Sequence, residues 1–393
     1  MTKACEKMRI LLVSTGGFPD PRYYRSNELA LCTALVKLGH NVTLFSSDKQ
    51  PKWQMLDDRQ IRLKEEVING FTIKRFLTGI ELGNVPLMPS LFWHILRFDC
   101  DIIHAHEMVS PSSFYCALAS RANRVPIIVT QHDYLFGNTH GAKLFLYILN
   151  DATIGRFTLR TSNATIGLSS ASVKLVQRFG ATTQKTRLIP TSVDTTAFRP
   201  NQKSVLKTEL GVDGPVILFI GRLMKRKGAD VLLRAFKPIV DKIPSANLVI
   251  VGKGPEETKL RELQMSLHLN NVFFLGRIPR ELMPEVYAGA DLFVLPSLYY
   301  EIFGNVLVEA MASGLPVIST NVGGMTDIVT HGKTGFRIAP GDVDQLSKCM
   351  LSLITNDELR SKMSKAARRD AVERFDDMAV ARIVEAMYRK SLT

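Results

Sequence analysis

Short β-branched and aliphatic runs alternate with amphipathic stretches of helical length along almost the whole chain, the pattern of parallel sheets built from βαβ units. Residues 9–15 read as a first strand. The glycine turn Gly16-Gly17 and a proline-containing loop follow, then a helix whose Leu29, Leu31, Leu35 and Leu38 fall at helical spacing before Gly39 ends it. Further strands are predicted at 41–46, 72–76, 101–105, 126–131 and 164–168, making one doubly wound lobe. A second series, at 216–220, 248–251, 272–275, 292–295 and 316–320, predicts another lobe of the same kind. Between them, residues 189–200 hold two prolines and several Ser and Thr residues and read as the linker. In open α/β sheets ligands bind beyond the carboxyl ends of the strands, so the loops after the strands are where chemistry is expected, on two walls of a cleft.

Composition narrows the class. A chain of 393 residues with 46% hydrophobic and 22% charged residues is an ordinary globular protein, which excludes disorder, fibres and a disulfide miniprotein. That length favours two domains, since a single core rarely grows past about 250–300 residues. The net charge of +13 is uneven: residues 1–200 carry 24 Lys and Arg against 15 Asp and Glu, and residues 201–393 carry 26 against 22. A basic first lobe suits anionic partners such as phosphates or an acidic membrane face. Nucleic acid is not expected, because no Arg-rich tail, zinc-finger spacing or RNA-binding aromatic signature accompanies the charge. Cys5, Cys32, Cys100, Cys116 and Cys349 are scattered singly, which fits a reducing cytoplasm. Residues 10–13 are too short a run for a signal peptide, and no stretch approaches a membrane span.

The most informative stretch is Glu301-Ile-Phe303-Gly304-Asn305-Val-Leu-Val-Glu309, after the predicted strand 292–295. A helix starting near Gly304 would aim the N–H groups of Gly304, Asn305 and Val306 at an anion, reinforced by the helix dipole. Glu309, more than a turn further in, would be placed to accept two hydroxyl hydrogen bonds, and Glu301 to reach a sugar; for an isolated pair of this spacing, a solvated loop acid and a buried acid bonded to backbone is the competing reading. At the end of strand 216–220, Gly221-Arg222 and Lys227-Gly228 offer a guanidinium and an ammonium that could neutralise a departing diphosphate, against the alternative of a solvated basic loop.

Together these pieces resemble the retaining glycosyltransferases of family 4. The agreement runs in order through Gly16-Gly17, Leu29-Ala30, Gly39-His40, Asp101-Ile-Ile-His-Ala-His, Gln131-His132-Asp133, Ile189-Pro190, Val193-Asp194, Phe198, Gly221-Arg222 and Lys227-Gly228. It continues through Gly252-Lys-Gly254-Pro, Leu275-Gly276, the Glu301 to Glu309 block, Gly314-Leu-Pro316, Gly323-Gly324 and Gly332-Lys-Thr-Gly335. The resemblance implies a GT-B fold, an α/β architecture of two doubly wound Rossmann-like domains facing across a cleft. Its domains would be an acceptor-side domain over 1–193, a nucleotide-sugar domain over 194–375, and a C-terminal helix over 376–393 that crosses back. It further assigns Arg222 and Lys227 to the donor diphosphate, Glu309 to the nucleotide ribose and Glu301 to the sugar hydroxyls. Backbone donors would come from Phe303, Gly304 and Asn305, and Arg277 and Ile278 would lie near the nucleobase. Gly16 and Gly17 would admit phosphate and acceptor, and His132 would touch the donor sugar near the reacting carbon.

The chemistry is consistent: breaking an anomeric bond leaves negative charge on a diphosphate, which preorganised cations and N–H groups stabilise without an essential metal or cofactor. Thr191-Ser192 stands where the family has Asn-Gly, the usual acid after the double glycine is here Asp327, and the loop 18–25 has its own character. Asp99-Cys-Asp101 and His104-Ala-His106 mimic metal motifs, but with no third ligand identifiable they read as structural. Gly332-Lys-Thr334 and Gly252-Lys-Gly254 read as turns. The apolar segment 87–98 reads as a core helix, with docking on a membrane or a lipid-linked acceptor as the alternative. The expected activity is transfer of a sugar from a nucleotide-diphosphate donor to a saccharide, lipid-linked or small-molecule hydroxyl, with retention, in the cytoplasm or at the inner membrane face. The alternatives are a nucleotide-sugar epimerase or hydrolase of the same fold, and a bilobal protein that binds without turnover.

Overall fold

A computed structural model describes residues 6–16, 26–49, 64–82, 85–132, 149–200, 204, 206–299 and 301–393. The chain forms two compact units, Met1–Pro190 with Val380–Thr393, and Thr191–Ala379.

The first unit contains β1 (Arg9–Val13), β2 (Asn41–Ser47), β3 (Glu65–Ile68), β4 (Phe71–Phe76), the hairpin β5 (Ile80–Leu82) and β6 (Val85–Leu87), β7 (Ile102–His106), β8 (Ile127–Gln131), β9 (Ala164–Gly167) and β10 (Thr186–Leu188). Eight of these form one sheet in the order β10-β9-β8-β7-β1-β2-β4-β3, parallel except for the edge strand β3. The second unit contains β11 (Val216–Ile220), β12 (Asn247–Val251), β13 (Val272–Gly276), β14 (Leu292–Leu295), β15 (Val317–Thr320) and β16 (Gly335–Ile338), all parallel in the order β13-β12-β11-β14-β15-β16. Each sheet reverses its winding beside its own first strand, between β1 and β7 and between β11 and β14. Such a reversal opens the crevice in which doubly wound folds bind ligands.

The central strands are buried on both faces, which is why they read as continuous apolar runs. In the first unit, alternation divides them between two cores. Ile10, Leu12 and Ile102 face the helices Asn27–Lys37 and Asp377–Leu392, whereas Leu11, Val13 and Ile103 face the helices Leu91–Arg97, Pro111–Asn123 and Arg156–Thr161. Helix starts are set locally: the hydroxyls of Ser26, Ser110 and Ser169 each accept a bond from an N–H three residues on. The antiparallel edge strand β3 and the hairpin β5–β6 have no counterpart in the sequence reading, because they are too short to establish a period.

The breaks between the units fall after Pro190 and after Ala379 rather than at 193/194 and 375/376. Long-range pairing accounts for the shift. Val193 N–H donates to Phe375 O at 2.7 Å, Thr195 Oγ1 donates to Asp376 Oδ2 at 2.6 Å, and Val193 and Phe375 both belong to the second unit's core. The last helix supplies Val380, Val384 and Tyr388 to the first unit's core. No helix among the described residues is long and apolar enough to cross a membrane. In the 87–98 segment Met88, Leu91 and Ile95 are buried, as a core helix requires, while Trp93 stands exposed.

Candidate functional site

Around the winding reversal of the second sheet, the loops after β11 and β14 carry the charged residues. The first turns through Gly221, Arg222 and a short 3-10 turn, Lys225–Lys227, to Gly228, whose φ of +69° and contact with Pro296 leave no room for a side chain: a Cβ would lie 2.1 Å from Pro296 O. Leu298 N–H then donates to Arg226 O at 2.7 Å, tying the two loops together. Glu301 is fixed through its backbone, its carbonyl accepting from Gly324 N–H at 2.8 Å, while a Cβ on Gly323 would approach that carbonyl to 1.9 Å. Gly323, after β15, therefore lets that loop close on Glu301.

These constraints bring Lys227 Nζ to 2.5 Å and Arg226 Nη1 to 3.4 Å from Glu301 Oε2, on which Ser297 Oγ also converges at 3.2 Å. Among the described residues Oε1 takes no such bond, so one edge of the carboxylate remains for hydroxyl groups. Lys227 and Glu301 are both nearly buried, at 11% and 12% side-chain exposure, which strengthens their attraction. Arg222 lies on the same turn, exposed. Two cations against one carboxylate leave this turn positive, and Arg222 adds to the excess. The sequence reading omitted Arg226 and Ser297; the Lys-Arg-Lys run was the available signal, but a run does not say which of its residues turns inward.

Gly304, at φ +96°, precedes the helix Asn305–Ala312, and the N–H groups of Gly304, Asn305 and Val306 have no acceptor among the described residues. Asn305 Oδ1 accepts from Thr191 Oγ1 at 2.6 Å, so the departure from Asn-Gly at 191–192 supplies a hydroxyl that orients this side chain. The Phe303 ring is buried against Phe375, leaving only its backbone for a ligand. Glu309 is neither solvated nor bonded to backbone. Its Oε1 pairs with Arg280 at 2.9 Å and its Oε2 accepts from Tyr287 Oη at 2.9 Å. Burial, and then the Glu309 charge, push the Tyr287 phenol well up. Neither Arg280 nor Tyr287 was legible in the sequence. Arg277 is exposed after β13 and Ile278 half-buried against the core.

In the first unit, the corresponding edge holds a different set. Alternation along β7 puts His104 and His106 on one face, their rings stacked 4.6 Å apart. His104 is wholly structural, its Nδ1 bonded to Tyr388 Oη at 2.6 Å and its Nε2 to Thr130 Oγ1 at 2.7 Å. His106 Nδ1 lies 2.6 Å from Nε2 of His132, at the end of β8, and Glu28 Oε1 lies 4.0 and 3.9 Å from those two nitrogens. The sequence reading found no third partner for the His104–His106 pair; tertiary structure brings Glu28 and His132 to His106 instead. The two nitrogens are at hydrogen-bond length, shorter than the roughly 3.3 Å between nitrogens sharing a tetrahedral zinc, so the geometry fits a shared proton. His106 Nε2 is buried without a partner among the described residues. With both rings neutral, the proton therefore belongs on His106 Nδ1, which donates to His132 Nε2 and leaves His132 an N–H on Nδ1. Burial, with His132 adding to it, pushes His106 down to about 3. Glu28 is held below its ordinary range: burial raises it, but His132, His106 and hydrogen bonds from its own backbone and from Ser26 together bring it down.

Gly16 N–H bonds Ser14 Oγ at 3.3 Å beside Glu28, whereas Gly17, Asp133 and the loop 18–25 lie outside the described residues. Asp99 and Asp101 both pair with Arg9 at the other end of the strands, the geometry of a structural clasp.

Two family comparisons cover most of the chain. "Glycosyltransferase Family 4" matches residues 29–197 and "Glycosyl transferases group 1" matches residues 202–370. The chain belongs to these glycosyltransferases. Among curated relatives of this glycosyltransferase, the sulfoquinovosyl transferase SQD2 of Arabidopsis thaliana is 31% identical over 75% of the chain, which spans 57% of that relative's length. A GDP-mannose-dependent alpha-(1-6)-phosphatidylinositol monomannoside mannosyltransferase of Mycolicibacterium smegmatis is 26% identical over 93% of the chain and 94% of its own. Among solved structures, Anabaena Alr3699/HepE in complex with UDP superposes with a TM-score of 0.77, covering 98% of this chain and all of that one at 24% identity. That likeness establishes the GT-B fold for the glycosyltransferase.

Proposed function

We propose that the protein transfers a sugar from a nucleotide-diphosphate donor to a hydroxyl acceptor, with retention of anomeric configuration. The observation that carries this reading is the convergence of Lys227 and Arg226 on one oxygen of Glu301 at the winding reversal of the second sheet. A diphosphate entering there meets two or three cations and the three N–H groups that open the helix Asn305–Ala312. As the anomeric bond breaks, the charge developing on the leaving diphosphate falls on donors already oriented, so little reorganisation accompanies the step. The cations of Arg222, Arg226 and Lys227 supply this neutralisation in our reading, and no essential metal or other cofactor enters it.

The free edge of Glu301 accepts from sugar hydroxyls, and Glu309, oriented by Arg280 and Tyr287, accepts from the ribose. Arg277 and Ile278 border the base. His132, whose Nε2 accepts from His106, donates from Nδ1 to the sugar near the reacting carbon, and Gly16 and Gly17 keep side chains from the approaching phosphate and acceptor. The Mycolicibacterium smegmatis relative is named for phosphatidylinositol monomannoside, which supports an acceptor at a membrane face for this protein too, with the catalytic units in the cytoplasm.

Thermal-shift screening against uridine, guanosine and adenosine diphosphate sugars, followed by anomer-resolved analysis of the product, tests the reading. Transfer giving the donor's own anomeric configuration is expected. Donor consumption without any acceptor dependence would make the protein a hydrolase or epimerase, and binding with no product over long incubation would make it a binding protein.

A further inference from the structure

Charge in the first unit is concentrated in one stretch: residues 108–193 contain nine Lys and Arg but only two Asp and Glu. One of those acids, Asp151, is buried away from the surface, and burial pushes its carboxyl up to about 7, which leaves only part of its charge at neutral pH. Within this stretch the helices Pro111–Asn123 and Arg156–Thr161 border an open cavity of about 590 Å³, lined by Arg121, Arg156, Arg160, Phe157 and Thr161 among others. This volume is in the range of ligand pockets, roughly 300–1,000 Å³.

The three guanidinium groups have no carboxylate or hydrogen-bond partner among the described residues. Arg156 and Arg160 stand four apart on one helix, where like charges repel. Arg121 comes from the other helix, so the three converge from two elements rather than lying along one. The Phe157 ring, half-buried and 5.4 Å from that of Phe114, is held in place by the core and gives the cavity a rigid apolar wall. Unpaired cations assembled around a concave space are stabilised by an anion, and planar guanidinium forks match the oxygens of phosphate in pairs.

We propose that this cavity binds the phosphate group of a phosphomonoester or diphosphate, at a site separate from the donor diphosphate cluster of the second unit. The ligand is anionic at one end, for Arg121, Arg156 and Arg160, and tolerates an apolar neighbour, for Phe157. Both a soluble phosphorylated compound and a lipid headgroup have that chemistry.

The test removes the donor cluster first. In the full chain carrying Arg222→Met, Arg226→Met and Lys227→Met, equilibrium dialysis with radiolabelled inorganic pyrophosphate is expected to retain one binding site. Adding Arg156→Ala and Arg160→Ala should weaken that binding at least tenfold, and Arg156→Lys with Arg160→Lys about threefold, because charge survives while the paired geometry is lost. All three arginines are exposed, so melting temperature should not change, and Arg121→Ala, on the other helix, provides an independent loss. Sedimentation with phosphatidic acid vesicles forms the second arm. Loss of pyrophosphate and vesicle binding together assigns the site to a phosphate that includes a lipid headgroup, and loss of pyrophosphate binding alone assigns it to a soluble ligand. Pyrophosphate affinity unchanged by the arginine substitutions, or abolished already in the donor-cluster background, would overturn the site. So would vesicle binding without pyrophosphate binding, which marks a diffuse charged surface, or a short duplex RNA that binds more tightly than pyrophosphate through the same arginines. This inference stands independently of the proposed transfer reaction: failure at Arg156 and Arg160 leaves the cluster around Glu301 untouched.

Discussion

The two sheets share a winding order and a reversal beside the first strand, yet the edges at those reversals have opposite electrostatic character. The second unit gathers mobile-stemmed cations, Lys227 and Arg226, around a carboxylate whose other edge is open. The first gathers aromatic nitrogen bases, His104 stacked on His106 and His106 joined edge to edge with His132 through their nitrogens, with the acid Glu28 beside them. In the proposed reading, one edge holds fixed negative charge and the other holds a proton in a defined place. The same topology therefore supplies the location of chemistry and says nothing about its kind, which the side chains after each strand decide.

The comparison predicts unequal effects. Lys227→Met should reduce turnover by about 10²–10³ while circular dichroism stays native, the scale of losing one preorganised donor to a developing oxyanion. Turnover within threefold of the parent would remove the cation cluster from the proposed chemistry. Gly323→Ala should strain the backbone at φ +52° and push the Glu301 carbonyl, at a cost of about 1–3 kcal/mol in stability. It should also lower donor binding, both read from denaturant melts with and without donor. On the histidine edge, His106→Phe should lower kcat by about tenfold, or ~1.4 kcal/mol, with little change in KM, because His132 loses its partner and not its ring. His104→Phe should behave inversely, leaving kcat alone and destabilising the first unit by about 1–3 kcal/mol, since it strands the Tyr388 and Thr130 hydroxyls. Equal kcat in the two variants would abolish the distinction between a positioning and a structural histidine.

The smallest effect is expected with acid. His40, His104 and His106, all in the first unit, titrate below the ordinary histidine range, chiefly through burial. A histidine depressed in the folded state binds its proton first in the unfolded chain, so its contribution is full above about pH 6.5 and is lost as pH falls towards the folded value, near 3 for His106. Glu28, also depressed, adds loss at the acid end of the same window. Asp151 opposes them, since its raised carboxyl favours the folded state on acidification, but it is one group against four. Hydrogen exchange between pH 7 and 4 should therefore show protection falling in β1, β7 and β8 before β11 and β14. Simultaneous loss in both units would contradict the assignment.

Much of this arrangement was legible in advance. The apolar runs of β11 and β14, the glycines after them and the acid-glycine-acid block are local, because strand burial, turn geometry and helix initiation are decided by residues a few positions apart. The family likeness implies a diphosphate for Lys227 and sugar hydroxyls for Glu301; the pairing of the two side chains, 74 residues apart in the chain, is seen only in the structure. Glu309 was read with an eye to hydroxyls, and its actual partners, Arg280 and Tyr287, come from the turn and helix after β13, where no spacing announces them.

The sequence alone determined the two series of βαβ units, the loops in which chemistry would lie, and the residue types available there. Tertiary structure decided the pairings: His106 with His132, His104 with Tyr388, Arg226 rather than Arg222 on Glu301, and Arg121 facing Arg156 and Arg160. Periodicity fixes which face of a strand or helix a side chain occupies. It does not fix which strand becomes the neighbour or how far a long side chain turns, and both depend on the register of parallel strands and the packing of helices distant in sequence.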